Sequence, residues 1–340
     1  MAYGKRAILM KRLSAVLLII LLLPAHCLAV TVVTHTIGAG KDYESLYLWS
    51  QNEGRDLVAA DEIERVECYA SMTVNSFFSI ETYNWTTDPN HRIIITVAES
   101  DRHSGIWDDA KAKIITTIGS TAFVISVPYT TMEWLQIQPA NNFAAIALSH
   151  NHCIVSNCII RGTSGSGGII VAFNEGCEIY RNIIYNCGHT TYGAINFADP
   201  MPSENFKAYS NTIYGCYRGI TGDSSTGLAT NNAVFDCSNG DFYGTFSASS
   251  GYNADSDGSA PGSNNQHNKS ASDQFQDIGS NNFLLKPASD CTDTGYDLGS
   301  PYNVDIQGTP VSGLWDIGAD EYTSSSGIKV IIMLSSTGRR

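Results

Sequence analysis

An all-β solenoid, its coils stacked into parallel sheets, is the fold this sequence predicts, and three observations predict it. Short β-branched runs recur around asparagines spaced 25, 29 and 21 residues apart, and a period of 20–50 residues is the mark of a solenoid. The pieces between them leave no room for helices, and Gly168, Gly193 and Gly219 open successive runs. The 340 residues are 43% apolar and only 16% charged, with 30 Gly, 10 Pro and 9 Cys. A chain with that much apolar surface can offset its ordering entropy, so disorder is excluded.

The first element is a leader. Lys5, Arg6, Lys11 and Arg12 precede an apolar run over residues 13–23, too short for the roughly 20 residues of a bilayer crossing. With Cys27-Leu28-Ala29 it predicts a secretory signal over residues 1–29 and no transmembrane span in the mature chain. Cleavage leaves 16 basic against 33 acidic residues, shifting the net charge from −13 to −17. That excludes nucleic acid, whose phosphates need a basic footprint. A polyanionic glycan would need bridging Ca2+ or a local basic groove.

Residues 30–70 should supply an N-terminal strand and a capping helix, because an open coil exposes core and strand edges. Asp42 suits an N-cap, Tyr43, Leu46 and Trp49 or Ser50 fall at helical spacing, and Gly54 can end the helix. Coils should fill residues 71–240, opening with less regular strands at 92–97, 113–118, 122–127 and 132–138.

The regular repeats place Asn157, Asn182, Asn211 and Asn232 in one column. Asparagine tolerates tight turns, and its amide can bond the identical amide one coil away, about 4.8 Å. Two residues on stand Ile159, Ile184, Ile213 and Val234, expected inward; three on stand Ile160, Tyr185, Tyr214 and Phe235, expected outward. Cys187, Cys216 and Cys237 each follow a ladder asparagine by five. Eight cysteines remain after cleavage, an even number that suits a disulfide framework. Three stacked cysteines can pair only two at a time, so small thiols filling a turn are the reading of that column.

Residues 241–322 carry eleven Asp and one Glu against Lys269 and Lys286, a net of −10. They are expected to fold back on the coils, with strands around 283–285 and 315–322. Residues 323–340 form a tail with a short apolar run at 328–334.

The Asn-centred repeats, the closing Asp305-Ile-Gln-Gly and Asp316-Ile-Gly-Ala-Asp-Glu-Tyr322, and the opening Thr36-Ile-Gly-Ala-Gly-Lys-Asp-Tyr resemble the secreted right-handed parallel β-helix repeat proteins of the pectin-lyase-like group. The chain departs from that pattern at Gln307, where an acid is common, and at Val311, where a base is. The resemblance implies a right-handed parallel β-helix, an extracellular or cell-surface setting (the periplasm included) and a polysaccharide or cell-surface glycan as partner. It does not fix an activity.

For the lyases of that group it implies a basic residue that removes a proton, with Ca2+ held by clustered acids. The candidates here are His150 and Lys207 as base, with Asp199 and Asp223 near a metal; His152, Arg161, Arg181 and Glu175 also lie within the repeats. Hydrolase pieces are not assembled: Asn211-Thr is followed by Ile213, Asp108-Asp109 lies upstream, and Gly188-His189 is followed by Thr190. The column of Tyr185, Tyr214 and Phe235, flanked by Arg161 and Arg181, could stack on sugar rings or lie under the C-terminal segment. Asp255-Ser-Asp257-Gly258 has the oxygen spacing of a Ca2+ loop without a downstream Glu. The sequence thus predicts a non-catalytic protein that binds or faces glycans in an adhesive role first, a lyase acting on uronate-containing polysaccharide by β-elimination second and a structural spacer third.

Overall fold

The computed structural model describes residues 29–72, 78–81, 84–117, 119–163, 165–171, 175–191, 193–197, 205–223 and 225–323. Most of the expected leader and all of the tail beyond residue 323 lie outside them. The chain divides into residues 1–31 and 32–340. The second unit is a parallel β-helix built on three sheets, which among the described residues hold eight, seven and seven strands. From Ile93–Val97 to Phe242–Thr245 each coil contributes one short strand to each sheet, as in Ile154–Ser156, Ile159–Arg161 and Gly167–Val171.

The coils stack because like side chains fall in register. In the first sheet Met132, Val155, Ile179, Ala208 and Ala229 form one inward column. In the second, Ile114, Ile137, Ile160, Ile184, Ile213 and Val234 do so. In the third, Phe78, Phe123, Ile146, Ile169, Ile195, Ile220 and Phe242 complete the core. Each Met, Val, Ile or Phe in these columns contributes roughly 1.5–3 kcal/mol on burial, and the alanines less.

Between first and second sheets the chain turns on one residue in the left-handed region: Trp134, Asn157, Arg181, Ser210 and Asn231 all have φ between +50° and +68°. The next residue starts an amide ladder. Asn182 Nδ2 donates to Asn211 Oδ1, Asn211 Nδ2 to Asn232 Oδ1 and Asn232 Nδ2 to Asn253 Oδ1, each at 3.0 Å. Every one of those oxygens also accepts the backbone N–H of the residue one coil back. Each Nδ2 reaches a second acceptor, such as Ile179 O for Asn211.

Asn157 does not belong to this ladder. Ile159 pairs with Ile183, so Asn157 stands level with Arg181, and Cys158 holds the ladder position, its backbone N–H donating to Asn182 Oδ1 at 2.9 Å. The whole first repeat is therefore offset by one residue. Ile160, not Ile159, faces the core, Ile154 faces out in place of Val155, and Arg161 heads the outward column. A one-residue shift in a strand reverses every side chain. The coils also run past residue 240: Ala254–Asp255 joins the second sheet, and Asn253 N donates to Asn265 Oδ1.

The capping helix spans Leu46–Glu53, and Ser45, not Asp42, is its N-cap, accepting from Leu48 N–H. Asp42 is occupied earlier, taking the N–H and hydroxyl of Thr36 at 2.9 and 2.8 Å. Leu46 and Trp49 close the core, and the Trp49 indole donates to buried Glu64, which also meets Arg55 and His35. At the other end Asn282–Leu285 pairs antiparallel with Phe275–Asp277. Residues 315–322 are not a strand. Their N–H groups go instead to scattered partners: Ile317 to Cys291 O, Gly318 to Asn231 O and Ala319 to Thr212 Oγ1. The eight described cysteines are unpaired, and all but Cys237 are buried.

Candidate functional site

The outward face of the second sheet is covered over Tyr185, Tyr214 and Phe235. Tyr185 is 1% exposed and Phe235 fully buried, while Tyr214 is half-buried. Phe283 lies 5.2 Å from Tyr185 and 5.1 Å from Tyr214, and Phe275 lies 5.4 Å from Phe235, ring centre to ring centre. Tyr185 and Phe235 are thus not a sugar platform. The C-terminal segment buries them because an apolar stripe across several coils is costly to leave in water.

Arg181 is not a substrate-binding cation either. It is fully buried under Trp315, its guanidinium 5.1 Å from the ring, and donates to Tyr302 O and Gly318 O. Its Nη2 lies 2.8 Å from Glu321 Oε1. Around it the closing motif is built from buried acids, each aimed at donors. Asp305 takes the N–H groups of Gln307 and Thr309, Asp316 those of Asp293 and Tyr322, and Asp320 that of Leu285. Burial raises Asp305, pushes Asp316 and Asp320 up to about 6, and pushes Glu321 up to about 7 against the opposing pull of Arg181. Gln307 donates to Asp320 Oδ1 at 2.7 Å; an acid at that position would add one more carboxylate to the cluster.

The acidic loop is likewise self-contained. Asp255 Oδ1 accepts from Gly258 and Asn268 N–H, and Oδ2 from Ala260 N–H at 2.7 Å and contacts His267 Nδ1 at 2.8 Å. Asp257 takes Ser259 and Asp241 N–H. With their oxygens turned to these donors, the two carboxylates hold the loop and leave no oxygen cage for Ca2+. Among the described residues no three His, Cys, Asp or Glu side chains group as metal ligands.

The candidate bases stand apart. Lys207 points out from the first sheet with Nζ 2.6 Å from Glu178 Oε1, and an ammonium held by a carboxylate has no lone pair to accept a proton. His150 sits in a turn, its Nδ1 accepting Asn151 N–H at 2.9 Å; burial and neighbouring His152 hold its pKa down. Asp223 is exposed at the end of a third-sheet strand, in register with Thr245, and Asp199 lies outside the described residues. No hydrogen bond or ion pair joins His150, Lys207 and Asp223 among the described residues.

Arg161 is placed differently. Its guanidinium lies 3.9 Å over the Trp107 ring and its Nε donates to Gln138 Oε1 at 2.7 Å. Gln138 lines a cleft of about 380 Å3 with Thr116, Thr117, Asn141 and Thr163, at the turns between second and third sheets. The lining residues carry no charge. Among the described residues the buried Thr163 hydroxyl has no partner, and Thr116 Oγ1 accepts Ala140 N–H, which occupies one of its lone pairs. Apart from Arg161, none of these residues is marked by sequence reasoning. Their positions recur every coil, but hydroxyl and amide side chains in turns carry no period that separates them from ordinary loop residues.

Three stacked parallel sheets with a buried amide ladder define the class. Residues 100–260 match the family model described as right handed beta helix region, and with the three parallel sheets this makes the fold a right-handed parallel β-helix. Neither the curated proteins nor the solved structures gave a match.

Proposed function

We propose that the protein is an exported, non-catalytic β-helix that binds a surface glycan in the cleft beside Arg161. The observation that carries this reading is the lining: Thr117, Gln138 and Asn141 offer hydroxyl and amide groups in a depression of about 380 Å3, within the ~300–1,000 Å3 of ligand clefts. Sugars present the same groups, and Arg161, stacked on Trp107, holds the Oε1 of Gln138 in the lining and brings a cation beside it. Export rests on the charged start and short apolar run of residues 1–29. The lyase reading is weaker, since Lys207 is ion-paired and no described acid meets His150.

A glycan array probed with the full chain and with Arg161→Ala tests the proposal. Binding that falls at least tenfold in the variant supports it. An array on which the wild-type chain retains nothing would sink it and leave the spacer reading. Accumulation of unsaturated uronate from any polysaccharide would replace it with catalysis.

A further inference from the structure

A second concavity lies on the outer face of the first sheet, away from the cleft of Arg161. It measures about 180 Å3 and is lined by Pro89, Arg92, Tyr129, Thr131, His152 and Glu178 among others. An apolar cavity of about 150 Å3 already takes one six-membered ring, so the space suits a single ring.

The walls are specific. Tyr129 and His152 occupy equivalent turns of neighbouring coils and stack face to face, centres 4.9 Å apart at 16°. Both hold left-handed backbones, φ +54° and +57°, which is unfavourable for bulky residues and is maintained where the surroundings impose it. In the next coil Gly176, φ +67°, leaves the space the imidazole needs, since a Cβ there would come within 2.5 Å of His152 Nδ1. The result is an imidazole on a fixed aromatic base at the edge of the cleft.

The charges are unequal. Glu178 is satisfied on both oxygens, by Lys207 Nζ at 2.6 Å and Tyr302 Oη at 2.9 Å. Glu133 belongs to the neighbouring outward row with Ser156 and Tyr180, not to the row of Thr131, Ile154 and Glu178 that floors the cleft. Arg92 is exposed and makes no ion pair or side-chain hydrogen bond among the described residues. On a chain of net charge −13, an unpaired guanidinium beside a stacked ring is a local exception, and its planar fork matches a carboxylate or sulfate.

We infer that this cleft is a second sugar site, taking one ring that bears a single oxyanion: the anion meets Arg92, the ring lies against His152 and Tyr129, and Thr131 takes a hydroxyl. The inference rests on the glycan-binding reading but on different residues, which lets the two fail separately.

Titration calorimetry of the full chain with glucose 6-sulfate, glucuronic acid, glucose and inorganic sulfate tests it, with the His152 ring-proton resonances followed in parallel. At least one charged sugar should bind tenfold or more tighter than glucose and tighter than inorganic sulfate, and should shift those resonances; which of the two binds identifies the oxyanion. Arg92→Ala should abolish the preference, Gly176→Ala should weaken it by displacing the imidazole, and Arg161→Ala should leave it intact. Equal binding of charged and neutral sugars, an unchanged preference in Arg92→Ala, or its loss in Arg161→Ala would each overturn the assignment. Array binding lost only in Arg161→Ala, with no charged sugar taken up here, would overturn this site and leave the first standing.

Discussion

Arg161 and Arg181 stand in neighbouring coils, and each lies over a tryptophan, yet they do opposite things. Arg161 is partly open on Trp107 and bonds Gln138, which lines a neutral cleft, whereas Arg181 is fully buried on Trp315 among the acids of the closing motif. The pairing chemistry is alike; what differs is which part of the solenoid the C-terminal segment covers. Where it lies, aromatic and charged residues become structure. Where it does not, the same residue types stay partly open to solvent.

The largest effect expected from breaking that contrast is at Arg181. Its replacement by Ala leaves Glu321 without its cation and strips donors from Tyr302 O and Gly318 O. Removing one partner of a buried pair costs about 3–5 kcal/mol. Urea unfolding of Arg181→Ala should show that loss, with protease cutting first within residues 270–322. A loss under about 1 kcal/mol would mean that the closing segment docks without the pair.

Next comes the ladder. Asn211→Ala removes an acceptor shared by the N–H and the amide of Asn182 and donors to Asn232 Oδ1 and Ile179 O. At about 1 kcal/mol per bond and 1–3 for each buried group left unpaired, it should cost about 3 kcal/mol. Asn157→Ala, which removes one bond to Asp305 O and an asparagine suited to φ +51°, should cost about 1 kcal/mol. Equal losses in denaturant melts would erase the distinction between the two columns.

That pair also shows what the residues could reveal in advance. Asn182, Asn211 and Asn232 are legible as a column because each precedes an inward aliphatic by two, and Asn253 repeats the 21-residue step from Asn211 to Asn232. Asn157 misleads because Cys158 occupies the ladder position with only its backbone N–H, a role that carries no side-chain signature. The burial of Tyr185 and Phe235 depends on Phe275 and Phe283, forty or more residues away, so alternation gives their direction but not their cover. Both clefts are less legible still. They depend on how turns from several coils meet and, at Tyr129 and His152, on left-handed backbones that no local pattern announces.

The acids of the closing segment give the covered region a pH response of intermediate size. Glu321 is pushed up to about 7 and Asp316 and Asp320 to about 6, chiefly by burial. A carboxyl whose folded pKa exceeds its unfolded value binds its proton more tightly when folded. Its contribution is therefore fully present below about pH 4 and is lost as pH rises through 6 to 7. Between pH 5 and 8 stability read from the urea midpoint should fall by roughly 1–3 kcal/mol for each of these three carboxyls, at about 1.4 kcal/mol for each tenfold difference in proton affinity between folded and unfolded chain. A midpoint that rises over that range would mean that the N–H donors around these carboxylates outweigh burial.

The smallest expected change in stability is at Arg161, and it makes the comparison sharpest. Arg161→Ala gives up one bond to Gln138 and a cation–π contact worth about 0.5–1 kcal/mol at an exposed site. Gln138 can turn to water, so no buried charge is stranded, and the loss should stay near 1 kcal/mol while glycan retention falls. If instead Arg161→Ala unfolds the protein as readily as Arg181→Ala, the cleft is part of the scaffold. Cover by the C-terminal segment would then no longer separate binding residues from structural ones.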